Sequence, residues 1–152
     1  AIARALGNDA ECVLLSLSSG LDVVQNQGIR AEYLPSYQRP WMPRREWNSY
    51  LGDRLVALAE EIDADVLAFD GVAPYQGIPL ARKRLPGTAF VWIRRGMWRI
   101  GRNAGALRAE PFFDEVIEPG DYAEESDQGL TASRRRTFPR RRGPCTCGTC
   151  CA

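Results

Sequence analysis

Short apolar runs alternate with amphipathic segments along most of the chain. Apolar runs of strand length occupy residues 11–17, 30–34, 65–69, 89–93 and 115–117. Between the runs, residues 21–28, 48–62 and 77–85 carry apolar side chains at the spacing of a helix that buries one face. Strands that alternate with helices predict an α/β fold with a mostly parallel sheet and helices on both of its faces.

The helix over residues 48–62 has the clearest pattern. One apolar stripe is formed by Leu51, Leu55, Leu58, Ala59 and Ile62. Asn48 or Ser49 is expected to cap its first turn. The preceding residues 36–47 hold two prolines, two tryptophans and three arginines without periodicity, which predicts a loop. Its tryptophans either bind a ligand or pack onto the sheet, and both interpretations stay open.

Residues 65–99 are the centre of the pattern. They read as a strand, a helix that begins near Gly77 or Ile78, and a second strand, which together have the size of a βαβ unit. Pro79 fits only the first turn of that helix. Both strands end on polar or charged residues, at the edge where open α/β sheets place their ligands.

Five candidate binding residues follow these two strands: Asp70, Gly71, Arg94, Arg95 and Trp98. The carboxylate can accept hydrogen bonds from hydroxyl groups, and arginine can bind carboxylate or phosphate through two parallel hydrogen bonds. The aspartate fits a simple turn equally well. The alternative for the arginines is a solvated loop, but their place at the carboxyl end of a strand favours binding.

Ser18 and Ser19 are weaker candidates, because a serine pair after the strand over residues 11–17 offers only hydroxyl or amide contacts. No glycine-rich phosphate-binding motif occurs. Histidine is absent, which excludes a Ser-His-Asp triad, a Cys-His pair and a histidine-ligated metal within this sequence.

The charge distribution argues against nucleic acid as a partner. All 19 acidic residues precede residue 131 together with 14 arginines and lysines, so this part carries a net charge of −5. No apolar run reaches the roughly 18 residues that a membrane-spanning helix needs. The lone Cys12 in this part is typical of a reducing cytoplasm, which is the expected localisation.

Residues 124–152 are expected to be a disordered tail. After residue 130 there are six arginines and four cysteines but no leucine, isoleucine or valine. The cysteines, at 145, 147, 150 and 151, have the wrong spacing for a zinc finger, so no metal site is predicted. Out-of-frame reading of GC-rich DNA would also produce such a tail.

Three phrases resemble a known family: LLSLSSGLDVVQNQGIRAEYLPSY, ADVLAFDGVAPYQGIPLARKRLPGTAFVWIRRGMWR and FFDEVIEPGDYA. Together they resemble the N-terminal domain of GT-B glycosyltransferases, the bacterial cell-wall N-acetylglucosaminyl transferase among them. The resemblance covers residues 1–123 and rests on element order and phrase texture, not on a catalytic motif.

This resemblance implies a Rossmann-like domain that binds the acceptor, a small molecule or a lipid-linked one, while a second domain holds the nucleotide-sugar. It implies no metal or other cofactor, and at most peripheral contact with a membrane. The family's first strand and donor domain have no counterpart in these residues, so we expect a fragment that does not catalyse transfer alone. The alternative is a non-catalytic Rossmann-like module that binds an anionic small molecule or a protein.

Overall fold

A computed structural model describes residues 6, 9–38, 42–119 and 126–132. The chain forms two compact units, one of Ala1–Leu67 with Tyr75–Ala89 and the other of Ala68–Pro74 with Phe90–Ala152. No helix among the described residues is long and apolar enough to cross a membrane. The helix end expected at residues 1–7 and the cysteine tail fall outside the described residues, Leu6 excepted.

Strands and helices follow one another nearly in the predicted order. The strands are β1 (Val13–Ser16), β2 (Arg30–Tyr33), β3 (Val66–Gly71), β4 (Ala89–Arg94) and β5 (Glu115–Ile117). The helices are α1 (Asp22–Gln25), α2 (Arg44–Glu61), α3 (Gly77–Arg84) and a 3₁₀ helix over Ala104–Phe112. Two small parallel sheets with helices confirm the α/β class.

The first unit contains the two-stranded sheet of β1 and β2. The strands are parallel, and their register runs from Val13 opposite Arg30 to Ser16 opposite Tyr33. Leu34, Trp47 and Leu51 form a buried cluster beside this sheet. Helices α2 and α3 also pack here, and the close approach requires glycine, since a Cβ on Gly77 would lie 2.7 Å from the Asn48 carbonyl oxygen.

Helix α2 begins at Arg44, four residues before the predicted start. Pro43 precedes it with an extended backbone, at φ −58° and ψ 143°. Asn48 is therefore inside the helix and does not cap it. Its side chain donates to the Arg44 carbonyl oxygen at 2.7 Å and accepts from the Gly77 N–H at 3.1 Å. The prediction of a cap was wrong because the amide joins two helices instead.

Of the two tryptophans in residues 36–47, the structure describes Trp47. Its side chain is fully buried, and its indole N–H donates to the Pro35 carbonyl oxygen at 2.7 Å. Trp47 therefore packs into the core, whereas the other tryptophan of this segment, Trp41, lies outside the described residues.

The three-stranded sheet has the order β3-β4-β5. Strands β4 and β5 are parallel, with Val91 opposite Glu115 and Ile93 opposite Ile117. Buried and half-buried residues alternate along β4, whereas exposed and half-buried residues alternate along β3. The apolar run of β3 therefore does not correspond to burial on both sides, and Val66 is 55% exposed.

Candidate binding site at the ends of β3 and β4

The predicted binding residues are distributed over the two units. Ser18 and Ser19 belong to the first unit, and the other five belong to the second. After β1 the Ser16 hydroxyl oxygen accepts from the Ser18 N–H at 3.1 Å, and the Ser18 hydroxyl oxygen accepts from the Gly20 N–H at 3.4 Å. The hydroxyl groups of Ser16 and Ser18 close the turn, and the predicted binding residues Ser18 and Ser19 are exposed.

Asp70 and Arg95 form an ion pair between the ends of two neighbouring strands. The Arg95 Nε–H donates to the Asp70 Oδ1 at 3.1 Å. The Arg95 side chain is 65% exposed and the Asp70 side chain is 57% exposed. Exposed pairs contribute only about 0–1 kcal/mol to folding, so stability alone does not account for this arrangement. Because both side chains are exposed to solvent, each can give up its hydrogen bond to the other and bind a ligand instead.

Gly71 is the last residue of β3 and directly follows Asp70. Its carbonyl oxygen accepts from the Trp92 indole N–H at 2.8 Å. A Cβ at Gly71 would lie 2.8 Å from the edge of the Phe69 ring. The end of β3 is therefore fixed by two aromatic side chains. The sequence did not single out Trp92, although its place in an apolar strand before the arginines was a usable signal.

Arg94 lies in the interior of the second unit, in contrast to its neighbour Arg95. It is 4% exposed and forms ion pairs with Glu110 and Glu118, with the Nε–H donating to Glu118 at 2.9 Å. Its guanidinium also lies 5.3 Å from the centre of the Trp92 ring and 6.0 Å from that of Trp98. Arg94 thereby joins β4 to the 3₁₀ helix and to the residue after β5.

Trp98 is buried beneath residues 126–132. It is 4% exposed, and its Nε1–H has no hydrogen-bond acceptor among the described residues. An unsatisfied buried donor costs about 1–3 kcal/mol. A Cβ at Gly129 would lie 2.0 Å from the Trp98 carbonyl oxygen, so only glycine permits this approach of the two backbones. These residues belong to the stretch predicted as a disordered tail, yet they pack closely here. The predicted boundary after residue 123 itself lies outside the described residues.

Asp127 joins the segment after β4 to residues 126–132 through hydrogen bonds. Its Oδ2 accepts from the Met97 N–H at 3.3 Å and from the Thr131 hydroxyl at 3.0 Å, and its Oδ1 accepts from the Gly129 N–H at 2.9 Å. Thr131 is 1% exposed. The sequence did not identify Asp127, because the contact it makes with Met97 joins residues 30 positions apart.

A cavity of about 340 Å³ lies where these two segments meet. Its wall is formed by Met97, Trp98, Arg99, Ile100, Ser126, Asp127 and Gln128. This volume is at the lower end of the range for small-molecule pockets. The cavity combines an arginine and polar side chains with two partly exposed apolar ones, and it belongs wholly to the second unit.

An aromatic cluster in the first unit was also missed. The rings of Tyr37 and Tyr75 lie 5.5 and 5.2 Å from that of Trp47, edge to face. Arg44 lies over the Tyr37 ring at 5.0 Å. Burial raises the pKa of the Tyr75 hydroxyl above its usual range. The cluster is part of the core around Trp47 and is not an open site.

In the part of the chain that the structure describes, no three Asp, Glu or Cys side chains are grouped so that they could hold a metal ion. Comparison of the chain with protein-family models, with curated proteins and with solved structures finds no match.

Proposed function

We propose that this chain is the acceptor-binding half of a nucleotide-sugar-dependent GT-B glycosyltransferase, with the acceptor held at the ends of β3 and β4. One observation carries the proposal. The exposed Asp70–Arg95 pair lies at the carboxyl ends of two neighbouring strands, where ligands bind in open α/β sheets. The resemblance of residues 1–123 to that family supplies the reaction class.

The pair has the chemistry that a hydroxyl-bearing acceptor requires. The Asp70 carboxylate accepts hydrogen bonds from hydroxyl groups, and the Arg95 guanidinium donates them to hydroxyl or phosphate oxygens. Because each group already forms a hydrogen bond with the other, both are oriented before a ligand arrives. Binding then exchanges one exposed ion pair for contacts with the ligand, at little cost to folding.

This proposal assigns the nucleotide-sugar to a separate C-terminal domain of the family, without a metal or other cofactor. The polypeptide alone then binds an acceptor without transferring sugar to it. The acceptor is a small molecule or is lipid-linked, with only peripheral contact to a membrane, and nucleic acid is not a partner. We place the protein in the cytoplasm, where the free thiol of Cys12 is stable.

The proposal is tested by calorimetric titration of the 152-residue chain. The ligands are erythromycin, ergosterol and a polyprenyl-diphosphate-linked amino sugar, with a uridine-diphosphate sugar for comparison. We expect one acceptor to bind and the nucleotide-sugar to bind far more weakly. Asp70→Ala and Arg95→Ala should each weaken acceptor binding about tenfold or more, since a hydrogen bond to a charged group contributes about 1.5–3 kcal/mol.

The pair of Arg84 and Asp53 provides a matched control. It is also an exposed ion pair, with side chains 53% and 62% exposed, but it lies between helices α2 and α3. Arg84→Ala should leave acceptor binding unchanged. Equal losses in Arg84→Ala and Arg95→Ala, or no binding of any acceptor, would remove the Asp70–Arg95 pair from the site and favour the non-catalytic module.

A further inference from the structure

Arg99 lies at the wall of the cavity in the second unit and has no partner among the residues that the structure describes. Its side chain forms no ion pair or hydrogen bond with any residue that the structure describes. Arg94 and Arg95, a few residues earlier, are both paired with carboxylates. Asp127 also lines the cavity, but its oxygens are already engaged by Met97, Gly129 and Thr131. The Asp127 carboxylate is thus hydrogen-bonded, whereas Arg99 is the charged side chain of this wall that has no partner among the described residues.

The apolar part of the wall adds a second requirement. Met97 is 39% exposed and Ile100 is 72% exposed, and both face the same cavity as the Arg99 side chain. A ligand with an apolar body would remove this surface from water, while an acidic group would pair with the guanidinium. Ser126 and Gln128 offer further hydrogen-bonding groups on the opposite segment.

The cavity is built on two segments that are fixed to each other. Asp127 accepts hydrogen bonds from the backbone of both segments, and Gly129 lies against the Trp98 backbone at a distance that only glycine allows. A wall that is already in place requires little ordering when a ligand binds, and that favours affinity.

From these observations we propose that the cavity between Met97–Ile100 and residues 126–128 binds a small organic anion, a carboxylate or a phosphate ester with an apolar body. Arg99 binds the acidic group, and Met97 and Ile100 contact the apolar part. Trp98 also lines the cavity, and its buried Nε1–H has no acceptor among the described residues, so its indole signal reports a ligand at this wall. The site uses other side chains than the Asp70–Arg95 pair and does not depend on the proposed acceptor role.

The test follows the tryptophan indole N–H signals by ¹H–¹⁵N NMR during titration. Phenyl phosphate and benzoate are the anionic probes, inorganic phosphate lacks the apolar body, and benzyl alcohol lacks the charge. Loss of one signal in Trp98→Phe assigns the Trp98 indole. Trp47 and Trp92 are internal references, because their indole N–H groups already donate to Pro35 and Gly71.

We expect a saturable shift of the Trp98 signal with phenyl phosphate or benzoate, and whichever binds more tightly identifies the acidic group. Arg99→Gln should weaken that binding about tenfold or more, since one charge-assisted contact is lost. Arg102→Gln, which removes an exposed arginine outside the cavity wall, should leave binding unchanged.

Three results would overturn the proposal. One is the lack of a Trp98 shift with both anionic probes. The second is binding of benzyl alcohol or inorganic phosphate as tight as that of the best anionic probe. The third is an equal loss of binding in the Arg99 and Arg102 variants. Signals of Trp47 and Trp92 that stay at their positions in every variant show that each variant is folded.

Discussion

Replacing Arg94 with methionine tests whether its buried ion pairs hold the second unit together. Methionine keeps much of the length of the side chain but removes the charge and all hydrogen-bond donors. Glu118, whose side chain is 15% exposed, then loses the guanidinium that pairs with it at 2.9 Å. Glu110 loses the same partner. Both carboxylates thus lose the positive charge that Arg94 places between them.

The expected cost follows from how deeply each partner is buried. Removing one member of a buried ion pair typically costs 3–5 kcal/mol, roughly, because an uncompensated charge stays behind. Glu110 is 31% exposed, so water takes over part of its solvation. We therefore expect Arg94→Met to lower the free energy of unfolding by about 3 kcal/mol. Arg95→Met removes only an exposed pair and should cost at most about 1 kcal/mol.

Urea unfolding followed by circular dichroism and tryptophan fluorescence measures both variants. With a denaturant slope of about 2 kcal/mol per molar, Arg94→Met should lower the midpoint by about 1.5 M and Arg95→Met by less than about 0.5 M. Adding Glu118→Gln to Arg94→Met should recover part of the loss, since the largely buried carboxylate that lost its partner is gone. Equal midpoints for the Arg94 and Arg95 variants would refute the structural role of Arg94.

The remaining predictions concern the first unit. The pKa of Glu32 is lowered, chiefly by the hydrogen bond from Arg54, from its usual 4.5. A carboxyl group whose pKa is lower in the folded state stabilises the fold at pH values above its unfolded pKa. Glu32→Gln should therefore lower the free energy of unfolding by up to about 1 kcal/mol at pH 7. This difference should vanish as the pH falls through the folded-state pKa, which lies below 4.5. Urea unfolding at pH 7 and pH 3 measures it, and a difference that does not depend on pH would contradict it. Gly77→Ala should cost about 1–3 kcal/mol, because the new Cβ would lie 2.7 Å from the Asn48 carbonyl oxygen. Gly87→Ala is the control, because no atom lies within 4 Å of its new Cβ, and it should not change the melting temperature. Equal melting temperatures of the Gly77→Ala and Gly87→Ala variants would show that the packing of α2 against α3 does not need Gly77.

Much of the candidate site was visible in the sequence. Asp70 and Arg95 both directly follow apolar strands, and parallel strands bring such ends to one edge of a sheet. Their contact at 3.1 Å agrees with that reasoning. Arg94 also follows the predicted apolar strand, but its side chain is buried and pairs with Glu110 and Glu118. Its partners are 16 and 24 residues away, and no local pattern reveals them. The cavity beside Trp98 was likewise hidden, because three of its seven wall residues come from a polar stretch that was predicted to be disordered.

Local patterns by themselves determined the order of the strands and most of the helices. Strand β5 lies at the predicted residues, and α3 begins where Pro79 allows. These features depend on side-chain spacing and backbone restrictions within a few residues, so the sequence contains them directly. Tertiary contacts decided the use of Asn48 between α2 and α3, the burial of Arg94 and the fixing of residues 126–132 by Asp127. Each of these depends on groups distant in sequence, whose burial and charge become paired only once the chain has folded.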